Sequence, residues 1–225
     1  MKRIVIMPTF AEAHIVKFQV HNIVDTLSPD VVIYNEGLFP SGPESKNNIT
    51  DEFKQKYCYK NTSQAFDTLE LQHIIKDANE QYPDVKFIYN AMDFPLGITA
   101  SEAYTLAVSN WEDLGVDVND GDIIFPYEPD VFHLESASTE IDEYIKQLKP
   151  NTGFKSLWVD ILHTPNYTER INNPFKGKKW GRKIAINYGG MEFYKNVVMQ
   201  CETQNYNMMY PTDLITYHYN WFRPK

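Results

Sequence analysis

Apolar residues recur along the first half of the chain in two alternating rhythms. Residues 3–8, 30–34, 86–89 and 121–126 are short apolar runs closed by proline or by Asn, Asp and Glu, the form of strands buried on both faces. Between them the period lengthens to three or four. Ile15, Phe18, Val20, Ile23, Val24 and Leu27 mostly share one side of a helix over residues 9–27, with Thr9 as its N-cap. Phe66, Leu69, Leu71, Ile74, Ile75 and Ala78 do the same over residues 63–81, with Ser63 as cap. A further helix, capped by Thr99 or Ser101, runs to Trp111; Ser101 and Tyr104 make no capping box, while Glu102 suits the positive end of that helix. Strand and helix alternating over four units predict a mostly parallel sheet with helices on both faces and right-handed crossovers, an α/β fold.

The polar stretch 38–61, punctuated by Pro40, Gly42 and Pro43, breaks this rhythm and holds one short amphipathic piece at 51–57. The second half is less regular. It offers a short acidic helix at 139–148, strands at 155–162 and 183–187, a loop at 166–182, a helix from 191 to 198, and an aromatic strand in the tail 214–225. Residues 1–225 thus read as one domain, with a ligand-binding half at 1–135 and a second half at 136–225.

Composition narrows the partners. With 225 residues, 43% hydrophobic and 14% aromatic, the chain can bury one sizeable core. A net charge of -9 and a pI near 5.1 leave no broad cationic surface, which argues against a nucleic-acid partner. Two cysteines, Cys58 and Cys201, form neither a disulfide framework nor a paired metal motif, so free thiols in a reducing compartment are expected. The run after Lys2 and Arg3 is too short for a signal peptide, and no stretch approaches the ~20 apolar residues of a membrane span. A soluble, cytoplasmic protein is the expectation.

The chemistry concentrates at residues 121–133. An apolar strand breaks at Pro126 and at once presents Glu128-Pro129-Asp130. Acids at the carboxyl end of a strand face the crevice where α/β sheets bind ligands. Two hard oxygen donors one residue apart can share a divalent cation that also grips a diphosphate. Pro129, with its fixed φ, holds the turn that projects both carboxylates. Nucleophile signatures are missing: there is no Gly-x-Ser-x-Gly, and the six histidines are scattered.

In order, a first strand ending in Pro8-Thr9, a second ending in Asn35-Glu36-Gly37, a third ending in Asn90 to Asp93, and a Gly121-Asp122 strand closing on Glu128-Pro129-Asp130 resemble the GT-A type glycosyltransferases. The segment from Asn35 to Lys46 is also similar to the Ser-Gly-Lys-containing segment of the family related to bisecting N-acetylglucosaminyltransferases. The resemblance covers residues 3–135 and, through His218, the tail. It implies a GT-A-like, Rossmann-like sheet with an irregular acceptor-side region. It also implies transfer of a sugar from a nucleotide diphosphate sugar to a hydroxyl acceptor such as a glycan, assisted by Mn²⁺ or Mg²⁺. Glu128-Pro129-Asp130 stands where that superfamily has Asp-x-Asp, with Glu for the first Asp, and His218 resembles its late metal-binding histidine. Thr9, Glu36 and Asp93 hold the positions of base and ribose contacts. Lys176, Lys178, Lys179 and Arg182 suit a lid over the diphosphate. For the carboxylate that deprotonates the acceptor, Glu192 and Asp160 are candidates, Glu192 preferred because Gly189-Gly190 lets backbone approach a sugar. Trp158, Trp180 and Trp221 are candidates for stacking on sugar faces.

Two rivals share this layout. A sugar nucleotidyltransferase wants a glycine-rich phosphate loop with basic residues after the first strand, which residues 9–14 do not supply. A non-catalytic carbohydrate-binding or assembly protein on the same fold accommodates the Glu128 substitution and the open choice of base.

Overall fold

The computed structural model describes residues 1–37, 49–56, 62–162, 168–171, 183–199 and 209–220. Lys176, Lys178, Lys179, Arg182, Trp180, Trp221, Cys58 and Cys201 lie outside them, so the lid and two of the stacking candidates receive no structural account.

Four strands, β1 (Arg3–Thr9), β2 (Val31–Gly37), β3 (Lys86–Met92) and β4 (Ile123–Pro126), lie in the order β3-β2-β1-β4 with every pairing parallel. Alternate residues leave on opposite faces. Val5, Met7, Val32, Tyr34, Ile123 and Phe125 meet α1 (Ala13–Leu27), α3 (Thr62–Gln81) and α5 (Ala137–Gln147). Ile4, Ile6, Ile33 and Ile124 pack instead with Val108 and Trp111 after α4 (Ala100–Ala107) and with Tyr194 and Val197 of α6 (Met191–Met199). Burial on both faces is why β1, β2 and β4 are short continuous apolar runs; β3, expected to be buried likewise, lies at the sheet edge and buries fully only Phe87. The chain passes from β1 to β3 over the first face and returns from β3 to β4 over the second. Its winding therefore reverses between β1 and β4, where the crevice of an open α/β sheet forms.

Beyond β4 the sheet is mixed, which corrects the expectation of a mostly parallel one. β8 (Lys183–Asn187) runs antiparallel to β4, and β6 (Gly153–Leu162) antiparallel to β8. β9 (Met209–Asn220) runs parallel to β6, and β5 (Val131–Phe132) closes the edge antiparallel to β9. Thr168–Ile171, inside the expected loop, is a strand, β7, antiparallel to β6. Apolar spacing marks a strand without marking its direction, which connections and neighbours decide.

Local corrections are instructive. Thr9 is the last residue of β1, paired with Glu36, and does not cap α1; Glu12 takes the N-cap position there without a side-chain cap bond. Phe18 is 61% exposed, and the buried stripe contains Gln19 in its stead. The capping box of α4 exists, but between Thr99 and Glu102: the Glu102 amide donates to Thr99 Oγ1 (3.2 Å) and the Thr99 amide to Glu102 Oε2 (2.8 Å). Thr99→Ala should cost about 1 kcal/mol, read as a melting-temperature drop of roughly 2–4 °C for a chain of this size; no measurable drop would show that α4 is held by packing alone. The amphipathic piece expected at 51–57 is a short helix, α2 (Asp51–Lys56), and residue 57 lies outside the described residues.

Candidate functional site

Tyr127 continues the ladder beyond Pro126, its amide donating to the Ile6 carbonyl (2.9 Å). The next four residues form a β-turn in which the Val131 amide donates to the Glu128 carbonyl (3.2 Å). Pro129 occupies the second position of that turn, where a fixed φ is favoured and no amide is needed. Glu128 and Asp130 therefore leave the same tight turn. β5 begins at its last residue and pairs Val131 with His218 of β9, while the Tyr219 amide donates to the Asp130 carbonyl (2.8 Å). This register carries His218 to the acid pair: its Nε2 lies 3.0 Å from Asp130 Oδ2.

One ligand atom each from Glu128, Asp130 and His218 lie within 4.8 Å of one another. The side chains of His218 and Asp130 are 14% and 19% exposed, buried enough to be held and open enough to be reached. Two carboxylate oxygens and one imidazole nitrogen are a donor set for a divalent cation.

Other predicted residues gather at the same end of the sheet. Thr9 and Glu36 are register partners at the carboxyl ends of β1 and β2, both almost fully buried. Glu36 accepts hydrogen bonds from the Tyr89 hydroxyl (2.7 Å) and from Thr68 Oγ1 (3.0 Å). Burial pushes its carboxyl above the usual range, against the pull of those two bonds. Tyr89 in turn is pushed up to about 12 by burial and by the Glu36 carboxylate. Asp67, next to Thr68, is also raised by burial, although the Ala13 amide at the start of α1 donates to it. Asp93 follows β3 at this end but is 90% exposed, with Lys54 Nζ 3.0 Å from its carboxylate.

The two base candidates separate. Asp160 of β6 holds the register position beside His218 of β9. Glu192 opens α6 after β8, and because β8 is antiparallel to β4 this turn sits at the amino end of β4, with Gly121 and Asp122 bonded to Tyr188. The structure thus leaves Glu192 at the opposite end of the sheet from Glu128. The glycine cue had another origin: a Cβ at Gly189 would stand 1.6 Å from Asn151 Oδ1, and Gly190, with open space around it, has φ +107, so packing requires the first glycine and backbone conformation the second. Trp158 lies on β6.

Sequence reasoning missed Gln19 and Asn22. Gln19 is fully buried on α1, with Nε2 donating to the carbonyls of Glu128 and Val131 (3.2 Å to the latter). Asn22 exchanges two bonds with the His133 backbone, Nδ2 to the carbonyl (2.7 Å) and the amide to Oδ1 (3.0 Å). The available signal was a carboxamide between Val16, Val20 and Ile23 on the buried side of the helix, where a polar group calls for a partner; its Nε2 has two, while its Oε1 has none among the described residues. No family model and no curated protein matches the chain.

Proposed function

We propose that the chain is a GT-A-like glycosyltransferase that takes a nucleotide diphosphate sugar as donor and a hydroxyl-bearing molecule such as a glycan as acceptor. The observation that carries this reading is the convergence of Glu128, Asp130 and His218 within 4.8 Å at the end of β4, beside the point where the sheet reverses its winding. A cation held there supplies Lewis-acid neutralisation of the charge that develops on a departing diphosphate. The imidazole tilts the preference from Mg²⁺, which favours oxygen donors, toward Mn²⁺. Thr9 and Glu36 lie buried beneath the neighbouring strand ends, with both Glu36 oxygens engaged by Tyr89 and Thr68, so they would support a nucleoside site from below and not touch the ligand. Of the two acids considered for activating the acceptor, Asp160 is retained for its register beside His218.

A thermal-shift panel of UDP, GDP, CMP and dTDP, each with and without Mn²⁺, tests the reading. A ligand at a hundred times its Kd should add about 2.7 kcal/mol to the folded state. Stabilisation by one nucleotide that requires the cation, and disappears in Glu128→Ala and in Asp130→Ala, is the expected pattern. Stabilisation by a free glycan alone would favour the carbohydrate-binding alternative, and silence toward every nucleotide and cation would remove the transferase reading.

A further inference from the structure

We propose that Gln19 and Asn22 of α1 are positioning residues that hold the turn bearing Glu128 and Asp130 in its ligand-gathering shape. The metal-affinity part of this proposal rests on the cation site proposed above; the mechanical part stands on α1 and the turn alone.

Three facts carry it. First, the two carboxamides stand three positions apart on one helix, so they lie on the same side of α1 one above the other. They reach the two ends of one short segment: Gln19 the carbonyls of Glu128 and Val131, Asn22 the amide and carbonyl of His133. Second, the orientation of the Gln19 amide is dictated by its surroundings, because two carbonyl oxygens can be faced only by its NH₂ group. With both donors of that group engaged, the carbonyls at the first and last residues of the β-turn are tied to one nitrogen. Third, the far side of the segment is tied to β9, by the Tyr219 amide on the Asp130 carbonyl (2.8 Å) and by His133 Nδ1 at the Ile215 carbonyl (3.3 Å). The turn is thus gripped from α1 on one side and from the His218 strand on the other.

Such a grip sets where two carboxylates can go. The pair leaves a turn of four residues, and the third ligand comes from another strand, so a small rotation of the turn separates the donor atoms. Groups one shell away from a metal ligand commonly control affinity by roughly ten- to a hundredfold. Gln19 is the more telling of the two, since it bonds the carbonyl of a ligand residue itself.

The test compares wild type with Gln19→Met, which keeps volume and removes the donors, and Gln19→Glu, which keeps shape and sets a carboxylate against the two carbonyls. Asn22→Ala is the companion. Two measurements are made below the melting temperature of every variant. One is amide hydrogen exchange at Val131 and Tyr219 against amides of β2, and the other is Mn²⁺ affinity by titration. The proposal expects exchange at Val131 and Tyr219 to quicken at least tenfold while β2 is unchanged, and Mn²⁺ affinity to fall by roughly ten- to a hundredfold. Exchange that is unchanged, or that quickens equally in β2, overturns the grip. Quickened exchange with Mn²⁺ affinity within twofold of wild type overturns its role in ligand placement. Should wild type itself bind no Mn²⁺, the cation site fails, while the exchange measurement still decides whether α1 holds the turn.

Discussion

Asn35→Leu should lower stability by about 3 kcal/mol, seen as a shifted urea midpoint with an unchanged slope and as a melting temperature lower by roughly 10 °C. Asn35 is fully buried at the end of β2. Its Nδ2 donates to the Ala107 carbonyl (2.5 Å) and to Asn110 Oδ1 (3.0 Å), and its Oδ1 accepts from Asn90 (2.7 Å) and from Asn110 (2.9 Å). Leucine fills nearly the same volume, so little of the loss comes from packing. The loss comes from the partners left behind: the last carbonyl of α4 and two side-chain amides, each costing about 1–3 kcal/mol when buried without a bond. Asn90 and Asn110 are half-buried and recover water in part, which keeps the sum near the lower end. Asn35→Asp sets a carboxylate where two donors stood, facing the Ala107 carbonyl and Asn110 Oδ1. It should be worse than leucine at neutral pH and improve relative to wild type in acid, as the carboxylate takes up a proton. Equal stability of wild type and Asn35→Leu would show that α4 is fastened elsewhere.

Wild type should also lose roughly 3 kcal/mol more than His133→Gln between pH 7 and pH 4. His133 is 3% exposed, with Nδ1 donating to the Ile215 carbonyl, and burial lowers its pKa from 6.5 to about 4 against the pull of that bond. The unfolded chain takes up a proton near 6.5, the folded one only near 4. Across that window the unfolded state binds more protons, so the stabilisation is complete above pH 6.5 and is lost as the pH falls toward 4. Glu36 and Asp67 act in the opposite sense, since their carboxyls are raised by burial and favour the folded state on acidification. Their contribution is common to both proteins, so the difference between wild type and His133→Gln isolates the imidazole. Parallel acid profiles for the two would contradict a neutral, desolvated His133.

Much of the first half was legible because its two periods differ so plainly. The continuous runs of β1, β2 and β4 announce strands covered on both faces, and the stripe of Val20, Ile23 and Leu27 announces a helix against them. The acid pair was legible too, because proline and two carboxylates after an apolar run can hardly be core. Direction in the second half was not. β8 and β9 carry the same apolar spacing, yet one runs against β4 and the other with β6, and this reversal moved Glu192 to the far end of the sheet. Gln19 was overlooked because a single polar residue on a helix reads as solvated until the partner carbonyls of a distant turn are seen. Phe18, the apolar residue beside it, was credited with burial that the geometry denies it. His218 could be suggested from a resemblance, but its contact with Asp130 depends on a register between strands that no local pattern records.

That register has a bearing on the order in which the molecule comes apart. β9 delivers His218 while lying parallel to β6, a pairing reached only after β7, β8 and α6 have been traversed, so the triad is a contact between distant segments that no local stretch of chain can form alone. An ion seated on it would bridge the turn before β5 and the far end of β9, and would have to depart before β9 could peel from β5. Such an ion would act as a latch on escape from the native state, lengthening the lifetime of the folded molecule to the extent that the triad is broken in the unfolding transition state.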